Sequence, residues 1–135
     1  MQWVVDASVA LAWCFEDEKS DRTEALADRL QISPAVVPQT WRLEIANALL
    51  VAARRERLSI ATRTQLLLAL ARLPVQVGSE TSDRAFQETL ALADAHQLTI
   101  YDAAYLELAL RLAIPLATND DALRRAAEAV GVGLL

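Results

Sequence analysis

Apolar residues in this chain arrive in short bursts, separated by longer stretches where they recur every three or four positions. The bursts read as strands and the stretches as helices. Residues 2–5 form an apolar run that stops at Asp6, and a helix follows at once through Ala7, Val9, Ala10 and Trp13. Residues 16–31 read as one helix, acidic in its first turn, with Ala25, Leu26 and Leu30 facing inward. Ser33-Pro34 breaks it. Ala35-Val36-Val37, closed by Pro38, is too short and too β-branched for anything but a strand.

The next helix spans 40–57, with Trp41, Ile45, Ala48, Leu49 and Ala52 on one face. Leu43 and Leu50 lie on the opposite side, which means either deep burial or a partner surface; a homodimer or partner contact is expected there. Ser59 caps a Leu-rich helix to Arg72, and residues 74–77 are a further strand candidate. Residues 81–96 read as an ordinary amphipathic helix. A helix over 99–112, a strand over 115–118, a helix over 119–130 ended by Gly131 and an edge strand over 132–135 complete the pattern. Alternating strands and helices imply an α/β fold: one domain over residues 1–135, with a central parallel sheet covered on both faces. In such sheets ligands bind beyond the carboxyl ends of the strands.

Composition narrows this picture. Aromatic residues are only 5% of a chain that is 54% hydrophobic, so the core is expected to be aliphatic. The length of 135 residues allows roughly two thirds of the unfolded surface to be buried. No apolar run approaches the ~18 residues of a bilayer span, and no basic-then-apolar leader opens the sequence. A cytoplasmic protein with no membrane partner is therefore expected. Cys14 is alone, which excludes an internal disulfide. The net charge of −5 argues against a simple basic face for nucleic acid. Two details soften that: setting aside four acids that recur at comparable places leaves −1, and Lys19 is the only lysine among 13 basic residues. The remainder are Arg, whose planar fork suits phosphate oxygens.

Those four acids carry the candidate chemistry. Asp6 follows the first strand directly, and Asp120 follows the strand over 115–118 after a short turn. Asp102 opens the helix over 99–112, and Glu44 lies one turn into the helix over 40–57. Each also has a plain structural role available. Asp6 and Asp120 could cap helices, Thr99 and Asp102 match a capping box, and Glu44 could be a surface acid. Two of them, however, follow strands expected to be adjacent and parallel, so their carboxyl groups would emerge at one edge. Packed carboxylates repel and raise one another's pKa unless a cation joins them. An oxygen-only cluster with no His, Lys or Cys pair nearby suits Mg²⁺ or Mn²⁺ rather than zinc. Such a site is suited to phosphodiester hydrolysis, with a metal-activated water and neutralised phosphate charge. Ser8 and Thr118 stand beside the acids and could orient them, Asn47 is a further supporting candidate, and Asp121 competes with Asp120 for the fourth place.

Four segments together resemble a known family: Val5-Asp6-Ala7-Ser8-Val9, Glu44-Ile45-Ala46-Asn47-Ala48-Leu49, Tyr101-Asp102-Ala103-Ala104-Tyr105 and Ala117-Thr118-Asn119-Asp120. In order and spacing they look like the PIN-domain nucleases, most of all the small VapC-type toxins of bacterial and archaeal toxin–antitoxin pairs. The resemblance spans essentially the whole chain. It implies a three-layer α/β/α fold, Mg²⁺- or Mn²⁺-dependent endoribonuclease activity on an RNA substrate, and inhibition by a cognate antitoxin. It also implies that Asp6, Glu44, Asp102 and Asp120 form the catalytic and metal-binding quartet, because the family's Thr-x-Asp ending falls on Asp120 rather than Asp121.

Rival readings fit less well. A haloacid-dehalogenase-type phosphatase wants a second Asp two residues after the first, where this chain has Ser8, and a balancing Lys that Lys19 is badly placed to supply. A phospho-receiver domain fails for the same missing Lys. A solitary RNA-processing PIN nuclease and a non-catalytic PIN-like binding module remain as alternatives within the family.

Overall fold

All 135 residues are described by the computed structural model. Its sheet has four short parallel strands, β1 (Trp3–Val5), β2 (Ala35–Val37), β3 (Val75–Val77) and β4 (Leu116–Ala117), in the spatial order β3-β2-β1-β4. Strands buried on both faces need continuous apolar runs, and Trp3-Val4-Val5 and Ala35-Val36-Val37 supply them. Every residue of β1 and β2 is buried. Trp3 can sit there because its indole N–H donates to the Ser33 carbonyl at 2.9 Å.

The helices are α1 (Ala7–Cys14), α2 (Asp21–Leu30), α3 (Trp41–Arg54), α4 (Ile60–Ala71), α5 (Thr81–Arg84), α6 (Leu90–His96), α7 (Ile100–Leu112) and α8 (Asp121–Val130). α1 packs on α2 and α3, while α7 lies across β1 and β4 between α6 and α8. Helices thus cover both sides of the sheet, giving the expected α/β/α layering. No helix is long and apolar enough to cross a membrane.

Topology decides where a site can form. From β1 the chain steps outward to β2 and β3, then returns to place β4 on the other side of β1. The winding therefore reverses between β1 and β4, and such a reversal opens a crevice at the carboxyl ends of the two strands. Val5 pairs with Ala117 in register, and the Asp6 N–H donates to the Ala117 carbonyl at 2.9 Å. Asp6 and Thr118 are the next residues out.

Some expected elements differ. Residues 16–31 are not one helix: Glu16–Glu18 form a 3₁₀ turn, and α2 begins only after Ser20. Ser20 and Thr23 make a reciprocal capping box there, which stops the helix from extending backward. The helix expected over 40–57 ends at Arg54. The stretch over 81–96 is interrupted by a π-helical turn, Ala85–Thr89, between α5 and α6. The edge strand expected over 132–135 is reduced to a single bridge between Leu116 and Leu134. Gly131 does end α8, with φ at 80°, where a side chain would be strained.

Candidate active site

Asp6 is the centre of the cluster at the carboxyl ends of β1 and β4. It precedes α1 but makes no capping bond to it. Its carboxylate instead accepts hydrogen bonds from Ser8 Oγ at 2.7 Å and from Thr118 Oγ1 at 2.6 Å. Asp6 is only 4% exposed and Thr118 is fully buried. The two hydroxyls are themselves held: Ser8 Oγ accepts the Asn119 N–H at 3.0 Å, and Thr118 Oγ1 accepts the Asp120 N–H at 3.0 Å. Burial raises the Asp6 pKa; the hydroxyl bonds oppose that, and the Asp120 charge adds to it.

Asp120 does cap α8, accepting the Leu123 N–H at 2.8 Å, so it has a structural role as well as its place near Asp6. Asp121 is an exposed residue at the start of α8. Asp102 sits in the first turn of α7. Its backbone N–H donates to Thr99 Oγ1 at 3.1 Å, but the returning half of the expected capping box is not made. Its carboxyl group lies near the Thr99 side chain, whose hydrogen bonding favours the ionised form. Burial lifts its pKa, and the charges of Asp6 and Asp120 lift it further.

Glu44 comes from the first turn of α3. The Tyr105 hydroxyl, one turn beyond Asp102 on α7, donates to Glu44 Oε2. Half-burial pushes the Glu44 pKa to about 7; the Tyr105 bond opposes this, and the Asp6 and Asp102 charges support it. Tyr105 itself is held far above the ordinary phenol range, first by burial and then by the charge of Asp6, so it stays a neutral donor. Sequence reasoning assigned Tyr105 no role. The available signal was its hydroxyl, since a Tyr at a core position in an aliphatic protein must find a polar partner. Asn47, by contrast, is exposed and makes no side-chain hydrogen bond to the acids.

The Asp120 charge reaches Asp6, those of Asp6 and Asp102 reach Glu44, and those of Asp6 and Asp120 reach Asp102. None is salt-bridged to Lys, Arg or His. They do not close into a shell: no three acidic, His or Cys side chains are gathered tightly enough to hold an ion among themselves. The donor set still fits a hard divalent cation. It consists only of oxygens, it lacks any cation of its own, and Mg²⁺ characteristically takes one or two carboxylates and completes its shell with water.

Comparison with known proteins bears on the family and the fold. The profile of the PIN domain matches residues 3–129. Ribonuclease VapC3 of Pyrobaculum aerophilum is 30% identical over 120 residues, which cover 89% of this chain and 90% of that protein. In fold, the chain is similar to a Pyrobaculum aerophilum protein of known crystal structure, with TM-score 0.72 and 22% identity over 99% of this chain and 83% of the other. FitAcB of Neisseria gonorrhoeae gives TM-score 0.69 at 15% identity, over 100% of this chain and 96% of its own. VapBC2 of Rickettsia felis, solved bound to a DNA fragment from its promoter, gives 0.68 at 14% identity, over 100% and 98%. With its profile matched from the first strand to the last helix, the chain belongs to the PIN-domain family.

Proposed function

We propose that this protein is a metal-dependent endoribonuclease and the toxin of a toxin–antitoxin pair. The observation that carries the reading is the set of coupled, cation-free carboxyl groups at the β1–β4 crevice, on a chain 30% identical to Ribonuclease VapC3. Asp6, Glu44, Asp102 and Asp120 would hold Mg²⁺ or Mn²⁺, which when bound supplies a more acidic water and neutralises charge on the phosphodiester. Ser8 and Thr118 fix the Asp6 carboxylate by donating to the same oxygen. Tyr105 fixes Glu44 in the same way. Without a cation, burial holds the Glu44 pKa up at about 7; a bound divalent ion would favour its ionised, ligating form.

The partners follow by analogy with a structure of similar fold, a toxin–antitoxin complex from Klebsiella pneumoniae that matches with TM-score 0.58 at 14% identity. α4 buries none of its residues, and Ile60 and Leu68 are 60% and 56% exposed. Leu43 on α3 is 71% exposed. An antitoxin held against α4 and a homodimer formed through the Leu43 side of α3 would cover this apolar surface. A strictly monomeric species in light scattering counts against the dimer. The nuclease reading is tested by Asp102→Asn, which keeps the size and the Thr99 cap. That variant should lose RNA cleavage and any growth arrest while remaining folded. Undiminished cleavage rejects the site.

A further inference from the structure

Arg22 lies in the first turn of α2, outside every motif discussed above, and its guanidinium reaches to the far end of the chain. Nη1 donates to Asn119 Oδ1 at 2.6 Å, and Nη2 donates to the Thr118 carbonyl at 3.0 Å and to the main-chain oxygen of Leu135 at 2.7 Å. Nε adds a bond to the same Leu135 oxygen at 3.1 Å. Arg124, in the first turn of α8, donates through Nη1 to the same Thr118 carbonyl at 3.1 Å. Neither guanidinium is paired with an Asp or Glu. Each also sits at a helix N-terminus, where the dipole disfavours a cation. Burial and the neighbouring Arg124 both weaken proton binding at Arg22. This arrangement does nothing for either helix.

The gain lies in what Thr118 and Asn119 hold. Thr118 Oγ1 donates to Asp6, and Asn119 N–H supports the Ser8 hydroxyl that also donates to Asp6. The turn that Arg22 grips therefore carries one support of Asp6, holds the other in place and leads directly into Asp120. We propose that Arg22 is a positioning residue of the acidic site: its planar fork, seconded by Arg124, clamps the 118–120 turn so that both hydroxyls stay on Asp6. The proposal rests on the nuclease reading and deepens it. Its base is rigid, since the Ser20–Thr23 capping box and the bond from Trp13 Nε1 to the Thr23 carbonyl at 2.7 Å pin this end of α2. A direct contact with RNA phosphate is the weaker role. The bonds to Asn119, Thr118 and Leu135 occupy Nε, both Nη2 hydrogens and one on Nη1, leaving a single N–H of the guanidinium unspent.

The test compares Arg22→Ala and Arg22→Lys with the unaltered protein, by amide hydrogen exchange and by RNA cleavage with Mn²⁺. Exchange at the Asn119 and Asp120 amides should accelerate about tenfold or more in both variants, with β1 amides unchanged. The kcat should fall roughly 10–100-fold, as for other losses of groups that orient site ligands. KM for RNA should stay within about twofold, because no ground-state contact is lost. Lys should not rescue, because an ammonium lacks the fork. Asn119→Ala removes one acceptor without touching α2 and should show the same pattern at Asp120 with smaller amplitude, which covers any failure of the Arg22 variants to fold. Unchanged exchange at Asp120 in all three overturns the clamp. So does a raised KM with kcat retained, restored by Lys, which marks a phosphate contact. An unaltered protein that cleaves no RNA overturns the nuclease reading instead, and the exchange measurements then judge the clamp alone.

Discussion

Helix α7 has carboxylates of two kinds, and their difference locates the function. Near its start, Asp102 faces Asp6 and Glu44 with no cation among them, and all three bind protons more tightly than usual. Further along, Glu107 is 5% exposed, nearly as buried as Asp6, yet Arg111 lies against it at 2.7 Å. Arg111 also reaches Glu80 at 3.1 Å, and Arg84 bonds Glu80 at 2.9 Å. Glu80 accordingly binds protons less tightly, held down first by the Arg84 bond and then by the Arg111 charge. Burial is similar for Asp6 and Glu107; only the company differs. A buried carboxylate with its guanidinium is architecture, whereas several carboxylates left without one hold unspent affinity for a cation.

The sharpest way to break that contrast is to neutralise one acid of each kind. Asp6→Asn should reduce RNA cleavage by about a thousandfold or more while the melting temperature holds or rises, because it removes repulsion as well as a ligand. Glu107→Gln should do the reverse. It leaves Arg111 with only Glu80, and should destabilise the fold by about 2–3 kcal/mol, with cleavage per folded molecule retained. Thermal unfolding and cleavage under single-turnover conditions separate the two. Should Asp6→Asn destabilise as Glu107→Gln does, the acids at the crevice would be architecture too.

Acidity gives the second test. The Glu44 pKa rises from an ordinary 4.5 to about 7 in the folded state. Between those values the folded protein binds more protons than the unfolded chain, so in metal-free buffer its stability falls as pH rises and the loss is complete above pH 7. Glu44 is only half buried and solvent screens it, so its share is about 1–2 kcal/mol. Asp6 and Asp102 act in the same direction. The lowered pKa of Glu80 works oppositely: its contribution is present above the ordinary carboxylate range and lost as pH falls through the folded value. Mn²⁺ should therefore raise the melting temperature more at pH 8 than at pH 5, since protons compete for the same oxygens. A shift equal at both values would place the cation elsewhere.

The two regions were not equally legible in the sequence. β1 and its acid could be read directly, because an uninterrupted Trp3-Val4-Val5 run ending in Asp6 has few other folded meanings. The same held for the turn after β4, where Thr118 and Asp120 flank one residue. The Tyr105–Glu44 bond joins residues 61 positions apart, and the Arg22 clamp spans 96 to Thr118. No local period encodes such contacts. Glu107 was equally hidden, since a buried acid inside a helix looks like any polar interruption until Arg111 is seen against it. The failed helix over 16–31 has a different cause. Its charged positions fit an exposed helical face, but Ser20 offers a cap that stabilises a new start better than continuation does.

The smallest expected effect lies at the rim of the paired network. Glu88 meets Arg84 at 3.6 Å, with their side chains 46% and 34% exposed. Water competes for both, and holding two long side chains together has an entropic cost, so such exposed pairs contribute little to stability. Arg84 also keeps its closer bond to Glu80 when Glu88 is neutralised. Glu88→Gln should thus shift the melting temperature by less than about 2 °C and leave cleavage unchanged, with the difference vanishing at high salt. A loss as large as that of Glu107→Gln would mean that the arginines bind these acids as one unit. The contrast along α7 would then rest on a network extending to the surface rather than on the burial of Glu107.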